Sequence, residues 1–482
     1  MTESEDVDFL ESIEAQFPVE QWKINGRFVW PIIRGIIANY NRSMYIVERK
    51  AHLGIFTRIF REIRGMVKFP LYNIFSKSKK DTIVFHDNFD RTIKLKDGRY
   101  YDRNLDPIVD ILHDSGISVL NIEQCRDGKR NMTYNVLQSI DMMLMFIRFY
   151  NKLFMQKGKI CLPEYDKFLR YLPKKLQKRL DIQVLRHEVG LIDRISRMMK
   201  WIIVRHQVKM VILECWYDIY RYSWSVACTD LGVKCVDIQH GRAGGTGHDF
   251  YTGWTKFPLR NKYEMMPNIF WTWTQEDKDA IDNWHVGNVI AYCGGKPVNM
   301  VLDNISNMID MSFCKTIKKE LPIILVSLQW GVVYPEWFAD FIRTSRQYIW
   351  LIRFHPIKEE MQKEFAKKIS ENENVVIENV DAILLEVLLQ HIDLHVTSSS
   401  STIVDAAMQG KPSIMINSKY KTSFLRYFDA GILKLATDAK TLEKDIKESL
   451  ISKIEKYKDE PIGNHGEFLI NIIKKTDYKE SV

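Results

Sequence analysis

Short apolar strands alternate with helical segments through the second half of the chain, and this order constrains the fold more than any other feature. The strands are predicted by runs of aliphatic and aromatic residues at 323–327, 348–354, 374–377, 394–397 and 413–417. The helices predicted between them lie around 336–346, 357–370, 381–390 and 401–409. Parallel strands need crossover connections of this kind, so we expect a doubly wound parallel sheet with helices on both faces.

A looser version of the same pattern runs through the first half. Strands are predicted at 82–85, 118–122, 210–214 and 234–239, with long helical regions around 134–156 and 182–206. The chain has 482 residues, of which 46% are hydrophobic, so two domains are expected rather than one core. We predict an α/β protein with three parts: a first domain over 1–300 with helical insertions, a second over 315–435, and C-terminal helices over 436–482.

Polar motifs follow three strands of the second domain, at the edge where ligands bind in doubly wound sheets. Gln329 comes after the first strand, and Arg353 and His355 end the second strand, directly before Pro356. A third motif lies between a strand and the start of a helix and consists of Ser398, Ser399, Ser400, Ser401 and Thr402.

A phosphate-binding role and a purely structural role are both open for these motifs. A helix start has free backbone N–H groups and a partial positive charge, so serine hydroxyls there either cap the helix or bind an anion. The His-Pro pair alone is equally typical of a turn. Because the two motifs occur at two strand ends of one domain, they favour a cradle for a nucleotide phosphate, with Arg353 supplying positive charge.

The series Arg-x-His-Pro, Ser-Ser-Ser-Ser-Thr and Asp-Ala-Ala-x-x-Gly-Lys-Pro lies within residues 320–420. It resembles the donor-binding half of bacterial surface-polysaccharide glycosyltransferases, a group with sialyl-, polysialyl- and Kdo transferases and teichoic-acid glycerophosphotransferases. The resemblance implies the GT-B fold, in which two Rossmann-like domains face a central cleft. It implies that Glu378 lies near the base and ribose of a CMP- or CDP-linked donor. The residues implied to hold the donor phosphate are His355, Ser399, Ser400, Ser401 and Thr402.

The first domain has its own strand-end motif, Gln239-His240, followed by a glycine-rich loop. Glycines let a backbone turn tightly, and a histidine on such a loop suits a general base for an acceptor hydroxyl. Arg242, His248 and Tyr251 add the polar and aromatic character of sugar-binding surfaces, so we predict that they and Gln239 bind the acceptor. The Gln-His-Gly sequence also resembles the same enzymes, in which a histidine here is proposed to act in catalysis. An ordered surface loop whose histidine bonds only the backbone is the alternative.

Acidic residues near predicted strand ends give further candidates. Glu123 and Glu214 each follow a strand, and Glu214 is the alternative base. Asp106 is expected to cap a helix start, and the Gly-Gly-Lys-Pro sequence at 294–297 is expected to be a turn into a linker.

Together these expectations describe a glycosyltransferase that moves a sugar from a nucleotide-activated donor to a growing surface polysaccharide or lipid-linked glycan. His240 is expected to act as the base, which gives inversion, while His355 stabilises the departing phosphate, although the two histidine roles are exchangeable. The sequence has no D-x-D motif in a strand–loop setting, no G-x-x-x-x-G-K-[ST] loop and no H-E-x-x-H motif. We therefore expect no obligatory metal or cofactor.

Three other functions stay open. Teichoic-acid polymerases share the His-Gly and His-Pro pair, which leaves a transferase of glycerol phosphate from a CDP donor. A nucleotide-sugar epimerase would need several carboxylates around the sugar, and the sequence does not bring these together clearly. A non-catalytic scaffold of the same fold is the third alternative.

The formal net charge is +8, and the excess of basic residues is concentrated at 56–80 and 167–179. The segment 56–80 predicts either a helix on an anionic membrane surface or a helix packed on its own domain with a solvated basic face. We find no recognition motif for nucleic acid. An acidic start without a long apolar run predicts neither a signal peptide nor a spanning helix, and seven scattered cysteines suit reduced thiols. We therefore predict a cytoplasmic location, peripheral at the inner face of the plasma membrane.

Overall fold

A computed structural model describes the protein over residues 3–43, 72–87, 92–124, 133–154, 158–241, 250–259, 262–284, 289–310, 312, 320–329, 331–355, 360–451 and 465–474. Arg242, His248, Pro356 and the greater part of the basic segment 56–80 lie outside these ranges. Within the ranges, none of the helices combines the length and the apolar character that crossing a bilayer requires.

The strands of the described residues form four sheets. In chain order they are β1 Lys23–Ile24, β2 Arg27–Phe28, β3 Thr82–Asp87, β4 Thr92–Lys94, β5 Tyr100–Asp102, β6 Val119–Gln124, β7 Gln138–Ser139, β8 Ile160–Cys161, β9 Met210–Glu214, β10 Lys234–Ile238, β11 Ile269–Thr272, β12 Ile290–Cys293, β13 Ile323–Ser327, β14 Ile349–Arg353, β15 Val375–Val376, β16 Leu394–Thr397, β17 Ser413–Met415 and β18 Leu433–Leu435.

The α-helices of the same residues cover the faces of the two large sheets and extend beyond them. They are Glu3–Gln16, Trp30–Ser43, Tyr72–Phe75, Asp106–Asp114, Asp141–Leu153, Tyr165–Tyr171, Lys174–Arg179, Ile182–His206, Ile219–Leu231, Gln275–Asp282, Pro297–Met300, Leu302–Met308, Glu336–Thr344, Glu360–Ile369, Leu385–Gln390, Thr402–Met408, Leu425–Asp429, Ala439–Ile451 and His465–Lys474.

The two large sheets have the same topology. The first has the order β12-β11-β10-β9-β3-β6-β7, and the second has the order β15-β14-β13-β16-β17-β18, with every neighbouring pair parallel. In each sheet the strand that comes first in sequence lies in the interior. The next two strands are added on one side of it, and all later strands are added on the other side. This is the Rossmann order, 3-2-1-4-5-6, with a seventh strand in the first sheet. The predicted fold class, two Rossmann-like α/β domains of the GT-B kind, is confirmed.

The order reverses between β3 and β9 in the first sheet and between β13 and β16 in the second. These central strands are buried along their whole length, which explains their continuous apolar sequences. Polar residues are concentrated towards their carboxyl ends, as His86-Asp87, Glu214 and Ser327. Ligands bind at such reversals in doubly wound sheets, so these ends define where a site is expected.

Several predicted boundaries needed correction. The helix predicted around 134–156 begins at Asp141, because Gln138–Ser139 pairs with β6 as an edge strand. The strand predicted at 374–377 is reduced to Val375–Val376. Strands β11 and β12, which complete the first sheet, were not predicted.

Apolar side chains join the two units. Trp273, just beyond β11, is buried in one cluster with Ile403 and Val404 of the second unit. The β4–β5 hairpin places Ile93, Leu95 and Tyr101 in another cluster whose other buried members come from 298–406. The two units therefore share two packed apolar clusters.

The helix His465–Lys474 returns to the first unit. Leu469 is fully buried in a cluster that contains Val84 of β3. The ring of Phe468 stacks on that of Tyr292 with centroids 3.6 Å apart. The first unit is therefore completed by residues from the far end of the chain.

Candidate functional site

The carboxyl ends of the two sheets face each other. Lys296, which follows β12, forms ion pairs with Glu386 and Asp405 of the second unit. Arg426, on the helix after β17, pairs with Glu276, on the helix after β11, at 2.7 Å. Because all these residues follow the carboxyl ends of parallel strands, the two reversal points open towards one interdomain boundary.

Gln329 and Ser399 meet across the reversal point of the second sheet. They follow the neighbouring strands β13 and β16, and the Oε1 atom of Gln329 accepts hydrogen bonds from the backbone N–H of Ser399 at 3.0 Å and from its hydroxyl at 3.1 Å. The structure thus brings together two of the predicted donor-binding residues, 70 positions apart, at the edge where such sheets bind ligands.

Thr402, which ends the serine run, is held by a buried histidine. His395 Nε2 lies 3.1 Å from the hydroxyls of Ser327 and Thr402, and its Nδ1 lies 3.0 Å from that of Ser413. Burial lowers the pKa of His395 to about 3, so the ring is neutral and exchanges hydrogen bonds with hydroxyls only. Thr402 is therefore held by the protein through its side chain.

The serines are only weakly engaged as helix caps. Ser401, at the N-cap of Thr402–Met408, makes no side-chain capping bond, and Ser400 accepts a long hydrogen bond of 3.3 Å from the Thr402 N–H. The Ser398 hydroxyl is buried and has no hydrogen-bond partner among the described residues. A pure capping role therefore does not account for this run.

Arg353 and His355 lie at the end of β14, and part of the arginine is used structurally. Its guanidinium donates to the carbonyls of Val380 at 2.9 Å and Ile383 at 2.7 Å. Burial lowers the pKa of Arg353. His355 is half-buried, and its backbone N–H donates to the side chain of Gln362 at 3.0 Å. One nitrogen of the guanidinium thus binds two backbone carbonyls, and the predicted role of Arg353 in phosphate binding stays a prediction.

Glu378 is exposed in the turn that follows β15. No contact of its side chain places it at the reversal point, and its predicted position near a base and ribose stays a prediction.

His240 lies two residues beyond the end of β10. The register pairs Ile238 with Glu214, so the histidine projects past the carboxyl edge of the central strands. Its Nε2 is 2.9 Å from the hydroxyl of Tyr217, which belongs to the loop after β9. The ring is half-buried, so one strand end and one loop fix a titratable group at this edge.

Two of the predicted acceptor-binding residues are instead internal. Gln239 is 1% exposed, donates to the Gly241 carbonyl and to Asp277, and accepts from the Trp273 N–H. Tyr251 is 2% exposed and donates to Asp237 at 2.7 Å. Because all polar groups of Gln239 and the hydroxyl of Tyr251 are bound within the protein, we assign both to the scaffold of the His240 loop.

A buried cluster of charged groups fills the reversal point of the first sheet. His86, near the end of β3, lies 3.1 Å from Asn121 through Nε2 and 3.7 Å from Asp102 through Nδ1. Asp106 accepts from the Asp102 N–H at 2.6 Å and from Asn135 at 2.8 Å. Asp106 is the first residue of the helix Asp106–Asp114, but its predicted capping role is wrong, because Leu105 occupies the N-cap and the Asp106 carboxylate binds Asp102 and Asn135 instead.

The charges in this cluster set each other's protonation. Burial disfavours the His86 imidazolium, but the ion pair with Asp102 and the field of Asp106 outweigh it and raise the pKa of His86 to about 9. Burial and the Asp102 charge raise the pKa of Asp106 to about 7. The pKa of Asp102 is lowered, because its interactions with His86 outweigh burial. The cluster therefore holds a proton on His86 at neutral pH.

A second set of contacts ties this cluster to β9. Arg221 is 1% exposed and pairs with Asp87 at 3.0 Å and with Asp218 at 2.6 Å. Glu214 is 2% exposed and accepts from Asn104 at 2.9 Å. The sequence placed Glu214 at a strand end, but only the parallel register brings it beside the residues of β3.

The protonated His86 makes the stability of the fold depend on pH, and substitution of this histidine tests that dependence. Its folded pKa lies above its ordinary value of 6.5, so its stabilising contribution is complete below pH 6.5 and is lost as the pH rises through about 9. We expect the free energy of unfolding, measured with urea, to fall by about 3 kcal/mol between pH 6.5 and 9. In His86→Asn this slope should disappear.

The matched control is His395→Asn. His395 is neutral above pH 6.5 in both the folded and unfolded states, so its substitution should lower stability without changing the slope in this window. An unchanged slope in His86→Asn would contradict the assigned imidazolium.

The Gly-Gly-Lys-Pro sequence predicted as a turn supplies an interdomain ion cluster. Lys296 is 2% exposed; its Nζ lies 2.5 Å from Glu386, pairs also with Asp405, and lies 4.9 Å from the centroid of the Trp273 ring. Arg103 of the first unit pairs with Glu386 at 3.4 Å. Burial opposes the Glu386 charge, but Arg103 and Lys296 outweigh it and lower its pKa to about 2. No sequence pattern distinguished this lysine from a surface residue.

Among the described residues, no group of three or more His, Cys, Asp and Glu side chains is arranged to hold a metal ion. The expectation of metal-independent chemistry stays a prediction.

No protein-family model matches the chain, and no curated protein matches it. Among solved structures, it is similar to a putative UDP-N-acetylglucosamine 2-epimerase from Listeria monocytogenes, with 13% identity, 84% of this chain and 99% of that chain covered, and a TM-score of 0.49. The wall teichoic acid polymerase TagF gives 11% identity, coverage of 87% and 97%, and a TM-score of 0.46. With the calicheamicin glycosyltransferase CalG4 the sequence identity is 8%, 77% of this chain and 90% of that chain are covered, and the TM-score is 0.43.

The class of protein is defined by the two Rossmann strand orders and by carboxyl ends that open towards one boundary.

Proposed function

We propose that the protein is a glycosyltransferase that takes a sugar from a nucleotide-activated donor to a surface polysaccharide or lipid-linked glycan. The observation that carries the proposal is that two Rossmann-like sheets open towards one boundary, with Gln329 and Ser399 at one reversal point and His240 near the other. One sheet can hold the nucleotide and the other the acceptor, which is what transfer between two substrates requires.

The second unit is proposed to bind the donor. Ser398 to Thr402 and the Gln329 amide offer hydroxyl and N–H groups where a diphosphate or phosphate would lie. Arg353 and His355 end the adjacent strand and supply positive charge and hydrogen bonds for the departing nucleotide. We propose that these groups, without an obligatory metal or cofactor, stabilise the leaving group.

The proposed reaction is a direct displacement. His240 takes the proton of an acceptor hydroxyl, the hydroxyl oxygen bonds to the anomeric carbon, and the bond from that carbon to the donor phosphate breaks. The electron pair leaves with the nucleotide, whose new negative charge the second unit stabilises. Attack from the face opposite the leaving group inverts the anomeric centre.

A nucleotide-sugar epimerase is the second candidate, and one observation favours it. The carboxylates that such an enzyme needs, which the sequence did not bring together, lie close to the first reversal point as Asp87, Asp102, Asp106 and Glu214. Each of them already bonds protein groups, so we rank the transferase first.

The reaction is proposed to take place in the cytoplasm. The cysteines of the described chain, 161, 215, 228, 235 and 293, are all free thiols, which suits a reducing compartment.

Titration with CMP, CDP, UDP and GDP, with binding measured by calorimetry, tests the donor site. We expect one nucleotide to bind more tightly than the others, and Gln329→Ala to weaken it about tenfold, because the Ser399 N–H loses the acceptor that orients it. Gln390→Ala, at an exposed position of the same unit, is the matched control.

The product formed from the matching nucleotide sugar then separates the candidates. Sugar transferred to an added glycan supports the transferase, whereas a changed sugar still linked to its nucleotide supports the epimerase. Turnover of CDP-glycerol would indicate the polyol-phosphate transferase, and a protein that binds none of the four nucleotides would contradict the proposal.

A further inference from the structure

The helix Asp141–Leu153 packs Leu144 and Ile147 on the core and carries a second set of apolar side chains on the outside. Phe146, Phe149, Tyr150 and Leu153 are 54–62% exposed, and they recur at helical spacing on one side. The residue after the helix, Phe154, is 55% exposed. Isolated exposed apolar residues are ordinary, but a continuous aromatic stripe on a surface helix marks an interaction site.

The stripe continues onto the neighbouring helix Ile182–His206. Arg194 lies over the Tyr150 ring at 4.6 Å and donates to the Phe154 carbonyl, which joins the two helices. Two turns further along the same face, Trp201 and Val204 are again exposed. We call the exposed residues of both helices the aromatic face.

Beside Trp201 the surface forms an open pocket with a volume of about 310 Å³. Its lining combines the apolar Trp201 and Val204 with the cations Lys77, Lys79 and Arg205. A cationic pocket next to an apolar stripe matches a lipid in which a negative head group adjoins an acyl chain.

The charges on the aromatic face are of one sign. Arg148 and Lys152 flank the stripe and are exposed, and Arg197 is exposed on the second helix. In Asp141–Leu153 the single acidic residue, Asp141, is buried. Of the two acidic residues of the second helix, Asp193 is engaged by Arg27 at 3.2 Å, and Glu188 is half-buried, which raises the pKa of its carboxyl. A protein partner whose surface carries both positive and negative charges would not need this excess of cations.

We propose that the aromatic face docks on an anionic phospholipid bilayer. Phe146, Phe149 and Leu153 enter the boundary between head groups and acyl chains, and Lys77 and Lys79 bind head-group phosphates. The surface includes the described end of the basic segment 56–80 and adds two helices that the sequence analysis assigned to no interface. The protein would then act at a membrane surface without a spanning helix.

Flotation with vesicles tests this proposal. We expect the unmodified protein to float with vesicles of equimolar phosphatidylcholine and phosphatidylglycerol, and much less with phosphatidylcholine alone. The triple variant Phe146→Ser, Phe149→Ser, Leu153→Ser should bind vesicles more weakly by a factor of about ten or more, because it loses buried apolar area. Lys77→Gln with Lys79→Gln should weaken binding about fivefold per charge.

The matched control is Val333→Ser with Leu259→Ser, at positions that are 77% and 91% exposed and belong to neither helix. It should float like the unmodified protein, and all variants should bind nucleotide equally. Equal flotation of the triple variant would overturn the proposal. So would a dimer that the triple variant dissociates, which indicates a second copy, or a lowered melting temperature of the triple variant, which indicates cover by the chain itself.

Discussion

Replacement of His240 by alanine is expected to lower the rate of sugar transfer by about 10²–10⁴-fold, the usual contribution of a general base. Nucleotide affinity should change less than about twofold, because the proposed donor groups lie in the other unit. The rate is measured with saturating donor, and the affinity by calorimetry on the same preparation.

Tyr217→Phe is the matched variant for this experiment. It keeps the ring and removes only the hydroxyl that lies 2.9 Å from His240 Nε2. We expect a smaller loss of rate and a shifted pH profile, because the imidazole keeps its place but loses one hydrogen bond. Full activity in His240→Ala would assign the base to another group, with His355 and Glu214 the next to test.

Lys296→Met is expected to lower the free energy of unfolding by about 3–5 kcal/mol at neutral pH. Methionine has a similar volume but no charge, so Asp405 loses its ion pair, and Glu386 keeps only the 3.4 Å contact with Arg103. Uncompensated buried charges carry a cost of this size. Urea unfolding of the whole chain measures the effect.

The loss should depend on pH in a definite direction. In the unmodified protein the pKa of Glu386 is about 2, so its contribution is present above its ordinary pKa of 4.5 and is lost as the pH falls through 2. In Lys296→Met the carboxylates protonate more easily, so the difference between the two proteins should narrow as the pH falls from 7 to about 4. Lys363→Met, which breaks an exposed pair with Glu360, should cost about 0–1 kcal/mol at either pH. A loss in Lys296→Met no larger than this control would contradict the buried ion cluster.

The parts of the fold that could be predicted from the sequence are those where periodicity leaves little choice. β9 and β13 are apolar at nearly every position because parallel strands are buried on both faces, and their bounds were predicted as observed. β11 was missed because its four residues, Ile-Phe-Trp-Thr, are a short run in an aromatic-rich stretch, although Pro267-Asn268 directly before them is a turn signal. Asp141–Leu153 is apolar on its exposed side as well as towards the core, so periodicity alone does not tell which side is buried.

The residues of the candidate site likewise include some that could be predicted from the sequence and some that could not. Gln329 and Ser399 each follow a predicted strand, so their meeting at one sheet edge could be expected. The His86 cluster could not be, because its members are scattered between residues 86 and 135 and meet only through parallel register and loop packing. Gln239 and Tyr251 were assigned to the acceptor from residue type alone, which does not tell a bonded interior side chain from an exposed one.

The return of His465–Lys474 to the first sheet has a consequence for how the protein is made. β3 leaves the ribosome long before His465–Lys474, so the apolar surface beside Val84 that Leu469 covers stays open until that helix has been synthesised. The second unit, 323–435, lies between these two parts of the chain and can complete its sheet first. The nascent first unit therefore stays partly uncovered while its neighbour folds, until the helix His465–Lys474 packs against it.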